Sequence, residues 1–300
     1  MKTFVKSFIK KKLLRKASSK AQSAMEYLMT YGWAILIISV VLAALFQLGV
    51  FNPMTFAPKA PPGSCQVFRP NGPGTTSFIN LEGVCSGELP QYVAQFGGTS
   101  YVQVPNSASL KYYLNGVTFA VWFKLAKTGA SMGIVSQTPN PFIDLWYNGN
   151  NLRYEVTNPS INGGAACFAS TVLASGTWYF AVLTYNTSIL DGYLNGQLAC
   201  YIADNAIINP NPNPVIIGSY YGSFNGTISN VQIYNTSLSA NEIQALYLEG
   251  IGGAPIDLQH LVAWWPLNGN ANDYSGNGNN GQINGNVNFV SNWYNGYTPP

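Results

Sequence analysis

This 300-residue sequence has little charge and little histidine: Asp, Glu, Lys and Arg together make up 8% of it, and histidine occurs once. Beyond the first 20 residues the basic residues are scattered, so the chain offers no basic patch for nucleic acid phosphates. The four cysteines show no CxxC spacing, which together with the single histidine argues against a zinc site. Because neither a G-x-S-x-G motif nor an E-x-D-x-x-E run is present, we predict that the protein is not an enzyme.

Aromatic residues, glycine and proline are abundant instead. Aromatic residues make up 14% of the chain, with 19 Tyr among them, and the chain also contains 30 Gly and 18 Pro. This composition is typical of an extracellular all-β protein with many turns.

The positive charge is concentrated in the leader MKTFVKSFIKKKLLRKASSK. This leader holds 8 of the 14 basic residues, and none of the 11 acidic residues precedes position 22. Loss of the leader would change the net charge from +3 to 6 − 11 = −5. A basic segment before an apolar run stays on the cytoplasmic side of a membrane, so the basic leader indicates membrane orientation.

An apolar segment over 22–51 follows the leader, with Glu26 as its single charged residue. Its stretch from 27 to 51 is longer than the apolar core of a secretory signal, and as a helix it would reach about 37 Å, enough to cross a bilayer. We therefore predict a membrane-spanning helix with its N-terminus inside. The next segment, 52–64, contains four prolines and is predicted to be a linker.

The junction between leader and helix, KAQSAMEYL, resembles the class III signal motif Q-x-S-x-E-x-x-x-L of archaeal type IV prepilins. Gln22 and Glu26 match the Gln and Glu of the motif, whereas Ala24 and Thr30 stand where the motif has Ser and Leu. The resemblance implies that a prepilin peptidase cuts between Ala21 and Gln22. It also implies that the apolar helix stays on the mature chain.

In such a filament, residues 1–21 would be absent and the apolar helices of many subunits would pack together in the core. Glu26 would pair with the new α-amino group of Gln22 on a neighbouring subunit and so set the axial register. Small residues along the helix would allow neighbouring helices to approach closely. A signal anchor that is never cut is the alternative interpretation.

After the linker, the sequence changes to short β segments separated by Gly, Asn and Pro. Asn-Gly pairs beginning at Asn115 and Asn195 predict tight hairpins. The segment SLSANEIQALYLEG predicts a short helix, with Ser239 and Glu242 forming a capping box and Gly250 ending the helix. The whole pattern predicts a mainly β fold, an antiparallel β-sandwich.

This order of segments resembles a laminin G-like domain, a jelly roll of the concanavalin A type. The matching pieces lie within 92–250 and are FGGTSYVQVPNSASL, VTFAVWFKL, GTWYFAVLTYN, DGYLNGQLACY, VIIGSY and GTISNVQIYNTSLSANEIQALY. The family's opening W-x-L/F strand and D-x-SGNGNxG loop are missing from their usual place and occur instead within 260–290.

Three interpretations of this C-terminal segment remain open. It completes the same sandwich as a circular permutation, it begins a truncated second domain, or it completes the sheet of a neighbouring subunit. We prefer the first, because about 30 residues are too few for an independent β domain. The predicted sandwich then spans 65–255, with 256–300 as the segment that completes it.

All four cysteines follow the apolar segment, so an extracellular location favours two disulfides. Of the three pairings that four cysteines allow, we prefer Cys65–Cys85 together with Cys167–Cys200. Four small buried thiols are the alternative.

The resemblance to laminin G-like domains implies binding to glycans or cell-surface proteins, with calcium in some members. Asp144 and Asp191 are the candidate calcium ligands, with turn capping as the alternative role, and no other cofactor is expected. N-glycosylation sequons begin at Asn186, Asn225 and Asn235.

Aromatic residues are the other candidates for a binding surface. Those in predicted turns and in the tail are expected to be exposed and to stack on sugars or neighbouring subunits: Tyr220, Tyr221, Trp293, Tyr294 and Tyr297. Those within predicted strands are expected in the core: Trp122, Trp146 and Trp178.

We therefore predict an adhesive subunit of an archaeal type IV pilus-like filament, with a laminin G-like head that binds surfaces or glycans. Its partners would be a prepilin peptidase, other pilin subunits and the membrane before assembly, and it would end on the cell surface. One alternative is a single-pass, membrane-anchored laminin G-like protein that does not polymerise. A secreted carbohydrate-active enzyme is a third class, which the missing carboxylate run argues against.

Overall fold

The chain divides into two units, Met1–Lys59 and Ala60–Pro300. The computed structural model describes residues 29, 31–43, 60–69, 77–83, 89–111, 113, 116–139, 142–158, 163–204, 208, 210–220, 222–298 and 300. For 60–69 and 77–83 it describes the backbone alone.

In the first unit, residues 31–43 form the helix α1. Its large apolar side chains are exposed on every side, from 48% at Leu42 to 65% at Trp33. Among the described residues, no helix is both long and apolar enough to cross a membrane. The predicted spanning helix over 22–51 is therefore not confirmed, and most of its remaining residues lie outside the described part of the chain.

The second unit is built mainly of β-strands. The strands up to residue 158 are β1 (Ala60–Arg69), β2 (Ser77–Gly83), β3 (Val93–Gly97), β4 (Tyr101–Val104), β5 (Val117–Leu125), β6 (Ser131–Gln137), β7 (Phe142–Asn148) and β8 (Leu152–Asn158). They are followed by β9 (Gly163–Phe168), β10 (Trp178–Tyr185), β11 (Ile189–Leu194), β12 (Gln197–Ala203), β13 (Val215–Ile217), β14 (Asn225–Tyr234), the helix α2 (Ala240–Glu249), β15 (Leu261–Trp265), β16 (Gln282–Asn284) and β17 (Val287–Val290).

Most of these strands form two antiparallel sheets. Sheet I has eight strands in the order β12-β11-β10-β5-β14-β3-β17, with β15 also pairing with β14, and sheet II has seven in the order β16-β4-β13-β6-β7-β8-β9. Side chains from both sheets form one apolar core, so the predicted antiparallel sandwich is confirmed. β1 and β2 pair with each other, and β1 begins inside the segment 52–64 that was predicted to be a linker.

The burial pattern of the strands follows from what covers each face. In β7, Ile143 and Leu145 enter the core between the sheets, and Asp144 between them faces the other way. In β5, Phe119 enters the same core, but Trp122 on the opposite face belongs to a second apolar cluster with α2. Burial on both faces explains why β5 is an almost continuous apolar run.

Two local predictions are confirmed. Ser239 Oγ accepts a hydrogen bond from the Glu242 N–H (3.4 Å), Glu242 Oε2 accepts one from the Ser239 N–H (2.7 Å), and Gly250 ends α2 with φ 79°. Asn195 and Gly196 have φ values of 50° and 74° in the turn that joins β11 and β12. Positive φ at both central residues is what a tight hairpin turn requires.

The C-terminal segment lies in both sheets of this sandwich. β15 pairs with β14 and β17 with β3 in sheet I, while β16 pairs with β4 in sheet II. The loop before β16 is held by Asp273, whose carboxylate accepts the backbone N–H groups of Trp264, Ser275 and Asn279 and the hydroxyl of Ser275. Asp273 therefore has a structural role in fixing this loop.

A disulfide joins Cys167 on β9 to Cys200 on β12, as predicted. The bond connects the edge strand of sheet II to the edge strand of sheet I, and so ties the two sheets together on one side. The predicted Cys65–Cys85 bridge lies outside the described residues, since the side chain of Cys65 and all of Cys85 are not described.

Candidate functional site

Over β5, β10 and β14, the outer face of sheet I is covered by other parts of the chain. Trp122 stacks on Tyr247 of α2 with a ring-centroid distance of 5.8 Å. Trp293 in the C-terminal tail is 1% exposed and donates its indole N–H to the carbonyl of Pro90 (3.0 Å). Lys124 donates to the carbonyl of Trp293 (3.0 Å), and burial lowers the pKa of this lysine. This region of sheet I is therefore closed to a ligand.

The outer face of sheet II carries a cluster of polar and aromatic side chains. Asp144 and Trp146 on β7 face away from the core, because they alternate with core residues. The register of the strands places Glu155 of β8 opposite Asp144, and places Arg153 opposite Trp146 and also opposite Phe168 of β9. We call these five residues the sheet II cluster.

The guanidinium of Arg153 lies between two aromatic rings. Its Cζ is 5.3 Å from the ring centroid of Trp146 and 5.1 Å from that of Phe168. Its Nη2 donates to Glu155 Oε1 at 2.8 Å. The side chain of Arg153 is 28% exposed and Phe168 is 50% exposed. Cation–π contacts and the ion pair thus hold a planar charged group beside an accessible aromatic ring.

Asp144 is buried, and neither of its carboxylate oxygens has a hydrogen-bond partner in the part of the chain that the structure describes. Burial raises the pKa of Asp144 well above its ordinary value, the neighbouring Glu155 raises it further, and Arg153 opposes the rise. Glu155 has a different environment, because it is ion-paired to Arg153 and also accepts the indole N–H of Trp146 at 3.4 Å.

Sequence reasoning missed this pair of carboxyl groups. Asp144 and Glu155 belong to no E-x-D run, and nothing in their spacing along the sequence indicates a contact. They meet because β7 and β8 form a hairpin whose register sets Asp144 against Glu155. The signal in the sequence was the Asn148-Gly149 pair, which is typical of a hairpin turn. Gly149 has φ 97° in the turn that joins β7 and β8.

Asp191, the other predicted calcium ligand, lies on β11 in sheet I. The position next to it, Gly192, faces the core, because a side chain there would meet the ring of Tyr154. Asp191 therefore faces the outer side of sheet I, and burial raises the pKa of its carboxyl group. Asp144 and Asp191 lie on opposite outer faces of the sandwich, so they cannot ligate the same cation.

The three sequons differ in accessibility. Asn186 is exposed after the end of β10, and its Oδ1 accepts the backbone N–H groups of Ser188 and Ile189. Asn225 and Asn235 are half-buried, and Oδ1 of Asn235 is buried without a partner among the described residues. Asn186 is thus the sequon that a glycosyltransferase can reach most easily.

Trp293 was predicted to be exposed, and this prediction is wrong, because its indole ring is buried where the C-terminal tail packs against the domain. Tyr294 and Tyr220 are exposed, at 53% and 40%. Tyr297 is half-buried, with its hydroxyl accepting the backbone N–H of Ile251 at 3.2 Å.

Trp122 and Trp178 are buried, as predicted, in the apolar cluster on the outer side of sheet I. Trp146 is also buried, but it belongs to the sheet II cluster and not to the core between the sheets. Ala21, Gln22 and Glu26, the predicted processing and filament residues, lie outside the described part of the chain, as does Tyr221.

Comparison with known proteins agrees with this architecture. Residues 96–244 match the model of a family described as the concanavalin A-like lectin/glucanases superfamily. No protein of curated function matches the sequence. This match supports the predicted laminin G-like domain with a concanavalin A-type jelly roll.

Two solved structures share the fold at low sequence identity. One is a Bacteroides ovatus protein, provisionally described as carbohydrate binding, with a TM-score of 0.52 and 15% identity. The alignment covers 72% of this chain but 63% of that protein. The other is the heptameric SAP-like pentraxin of Limulus polyphemus, with a TM-score of 0.50 and 12% identity. That alignment covers 69% of this chain and 99% of the pentraxin chain.

Proposed function

We propose that the laminin G-like domain binds carbohydrate at the exposed edge of the sheet II cluster. The observation that carries the proposal is the stack of Trp146, Arg153 and Phe168 on the outer face of sheet II, with Phe168 half exposed. The apolar face of a sugar would stack on Phe168, and the free edge of the guanidinium would donate to sugar oxygens. The Bacteroides ovatus protein of similar fold is itself provisionally described as carbohydrate binding, which supports the same class of function.

Binding is favoured over hydrolysis, although two carboxyl groups are adjacent. A glycoside hydrolase needs both carboxyl groups in contact with the scissile bond. Here the oxygens of Asp144 are buried, and Glu155 is occupied by Arg153 and Trp146. A sugar resting on Phe168 would not reach Asp144 without a rearrangement of the sheet II cluster.

The test is a glycan array probed with the full-length chain in detergent. We expect Phe168→Ala and Arg153→Ala to weaken binding to any retained glycan by about 5- to 30-fold, the equivalent of roughly 1–2 kcal/mol. Tyr294→Ala is the matched control, because it removes another exposed aromatic ring far along the chain. Equal binding by all the variants, or turnover of a glycan by the protein, would contradict the proposal.

We further propose that the domain is displayed on a type IV pilus-like filament after transit through the membrane. The support lies in the basic leader 1–21, the KAQSAMEYL junction and the apolar α1, whose side chains are exposed on all sides. An apolar helix of this kind is stable when lipid or other apolar helices surround it. After cleavage by a prepilin peptidase, assembly with other pilin subunits would surround this helix with other apolar helices.

Mass spectrometry of the protein isolated from cells tests the filament proposal. A chain that begins at Gln22 is expected, and Glu26→Ala should still be cleaved but should not assemble into filaments. An intact leader would instead leave a membrane-anchored binding protein. Normal filaments from the Glu26→Ala variant would contradict the proposal that Glu26 sets the axial register of the subunits.

A further inference from the structure

The outer face of sheet I reaches the solvent at its β12 edge, where a carboxylate lies beside an exposed aromatic ring. The register sets Tyr201 of β12 directly opposite Asp191 of β11. Residues opposite each other in an antiparallel pair share a face of the sheet, with Cβ atoms about 5 Å apart. Tyr201 is 70% exposed, whereas Asp191 is half-buried. Tyr193, two residues along β11, lies on the same face and is buried against α2.

The charge of Asp191 is not balanced by the part of the chain that the structure describes. No hydrogen bond or ion pair from those residues reaches its carboxylate. Burial raises the pKa of Asp191, and no basic group among them lowers it again. The charge of Asp191 in turn raises the pKa of the Tyr193 phenol, which shows that the two side chains are close. Asp191 is therefore a half-buried negative charge beside two tyrosines.

The hydroxyl nearest to Asp191 on the other side is already hydrogen-bonded elsewhere. Thr184 of β10 is directly opposite Asp191 and is 1% exposed. Its Oγ1 is 2.6 Å from the Oγ of Ser237, in the loop before α2, and it accepts the hydroxyl of Thr118 at 3.3 Å. The loop before α2 thus closes the surroundings of Asp191 on the β10 side. They stay open on the β12 side, at the exposed ring of Tyr201.

We propose that Asp191, Tyr193 and Tyr201 bind a primary ammonium group carried on a small carbon skeleton, as in an amino sugar or an alkylamine. The ammonium would donate to the carboxylate of Asp191, and the adjoining carbon atoms would lie on the ring of Tyr201. Leu198, opposite Tyr193 and 53% exposed, extends the apolar surface beside that ring. This site lies on the opposite face of the sandwich from the sheet II cluster, so it does not depend on the proposed carbohydrate site there.

The surroundings of Asp191 favour an organic cation over calcium and over a neutral sugar. Calcium takes about six to eight oxygen ligands. Among the described residues, no group of three or more His, Cys, Asp or Glu side chains could hold a metal ion. The ring of Tyr201 would add nothing to calcium coordination, whereas an aromatic face attracts an organic cation. A neutral sugar would stack on the same ring but would leave the charge of Asp191 unbalanced.

The test is a ligand-observed NMR titration of the full-length chain in detergent with two matched pairs of probes. The trisaccharide of glucosamine and its N-acetylated form share one sugar skeleton, and butylamine and N-butylacetamide share one alkyl chain. At about pH 6.5 both amines are protonated. We expect an amine to bind with a Kd of roughly 1 mM and at least 10-fold more tightly than its acetylated counterpart. The amine that binds more tightly identifies the skeleton that Tyr201 accepts.

Substitutions then assign the binding to these residues. Asp191→Asn keeps the shape of the side chain and should weaken amine binding at least 10-fold. Tyr201→Ala removes an exposed ring and should weaken it about 2- to 5-fold. Glu249→Gln is the matched control, because it removes another half-buried carboxylate whose pKa burial raises, and it should leave the Kd unchanged.

Four results would overturn the proposal: no binding of either amine, equal binding of an amine and its acetylated counterpart, full binding by Asp191→Asn, or displacement of the amine by an equal concentration of calcium. Phe168→Ala, on the sheet II cluster, separates this site from the proposed carbohydrate site. It should keep the amine affinity of the wild type even where it loses a glycan from the array. Loss of amine binding by Phe168→Ala would place the amine on sheet II and would also overturn the proposal.

Discussion

Replacement of Trp293 by alanine tests whether the C-terminal tail is part of the folded core. The indole ring of Trp293 is 1% exposed and meets the rings of Trp178 and Tyr297 at centroid distances of 5.9 Å and 5.6 Å. Its N–H also donates to the carbonyl of Pro90. Truncation of a buried tryptophan to alanine costs about 3–5 kcal/mol, and we expect Trp293→Ala to lower the free energy of unfolding by that amount.

Two further variants separate packing from hydrogen bonding. Trp293→Phe keeps most of the ring but leaves the carbonyl of Pro90 without its donor, and we expect a loss of about 1–3 kcal/mol. Tyr294→Ala is the control, because Tyr294 is 53% exposed and its removal should cost about 0.5 kcal/mol or less. The order of stabilities should therefore be wild type, Tyr294→Ala, Trp293→Phe and Trp293→Ala.

The assay is urea denaturation of the full-length chain in detergent, followed by far-ultraviolet circular dichroism and analysed by linear extrapolation. A loss for Trp293→Ala no larger than that for Tyr294→Ala would refute the reasoning. The tail would then not close the outer face of sheet I, and the choice of sheet II as the ligand face would lose one of its two supports.

Three other predictions can be checked on the same protein. Replacement of Cys167 and Cys200 by serine opens a bridge with a sequence separation of 33 residues and should cost about 3–4 kcal/mol, measured by denaturation; reduction of the wild type should cost at least as much, because it would also open the predicted Cys65–Cys85 bridge. Asn186→Gln should remove a glycan mass from protein purified from its natural host, whereas Asn225→Gln and Asn235→Gln should leave the mass of the attached glycan unchanged; glycan retained by Asn186→Gln would contradict the accessibility argument. Ser239→Ala should cost about 0.5–2 kcal/mol through loss of the capping box, with Ser291→Ala at an exposed bend as the control.

Features that depend on neighbouring residues were predictable from the sequence. The capping box of Ser239 and Glu242, the Asn195-Gly196 turn and the alternation of β7 all follow from local hydrogen bonding and backbone preference. Local preferences alone did not predict the jelly roll or the Cys167–Cys200 bridge. Their prediction also required the resemblance to laminin G-like domains and an expected location outside the cell.

The candidate site was not predictable in the same way. The alternation of a strand shows which residues share a face, but it does not show which face another element will cover. Trp293 illustrates the point, because a tail aromatic that looked exposed is buried against sheet I.

By itself, the sequence determined the strands, the turns, the capped helix and the separation of a basic leader and apolar segment from a weakly charged β domain. Only the tertiary structure decided that Asp144 meets Glu155, that Arg153 lies between Trp146 and Phe168, and that the outer face of sheet I is covered over β5, β10 and β14. The physical reason is that strand register and the packing of distant segments are non-local. They bring together residues whose spacing along the chain carries no sign of their contact.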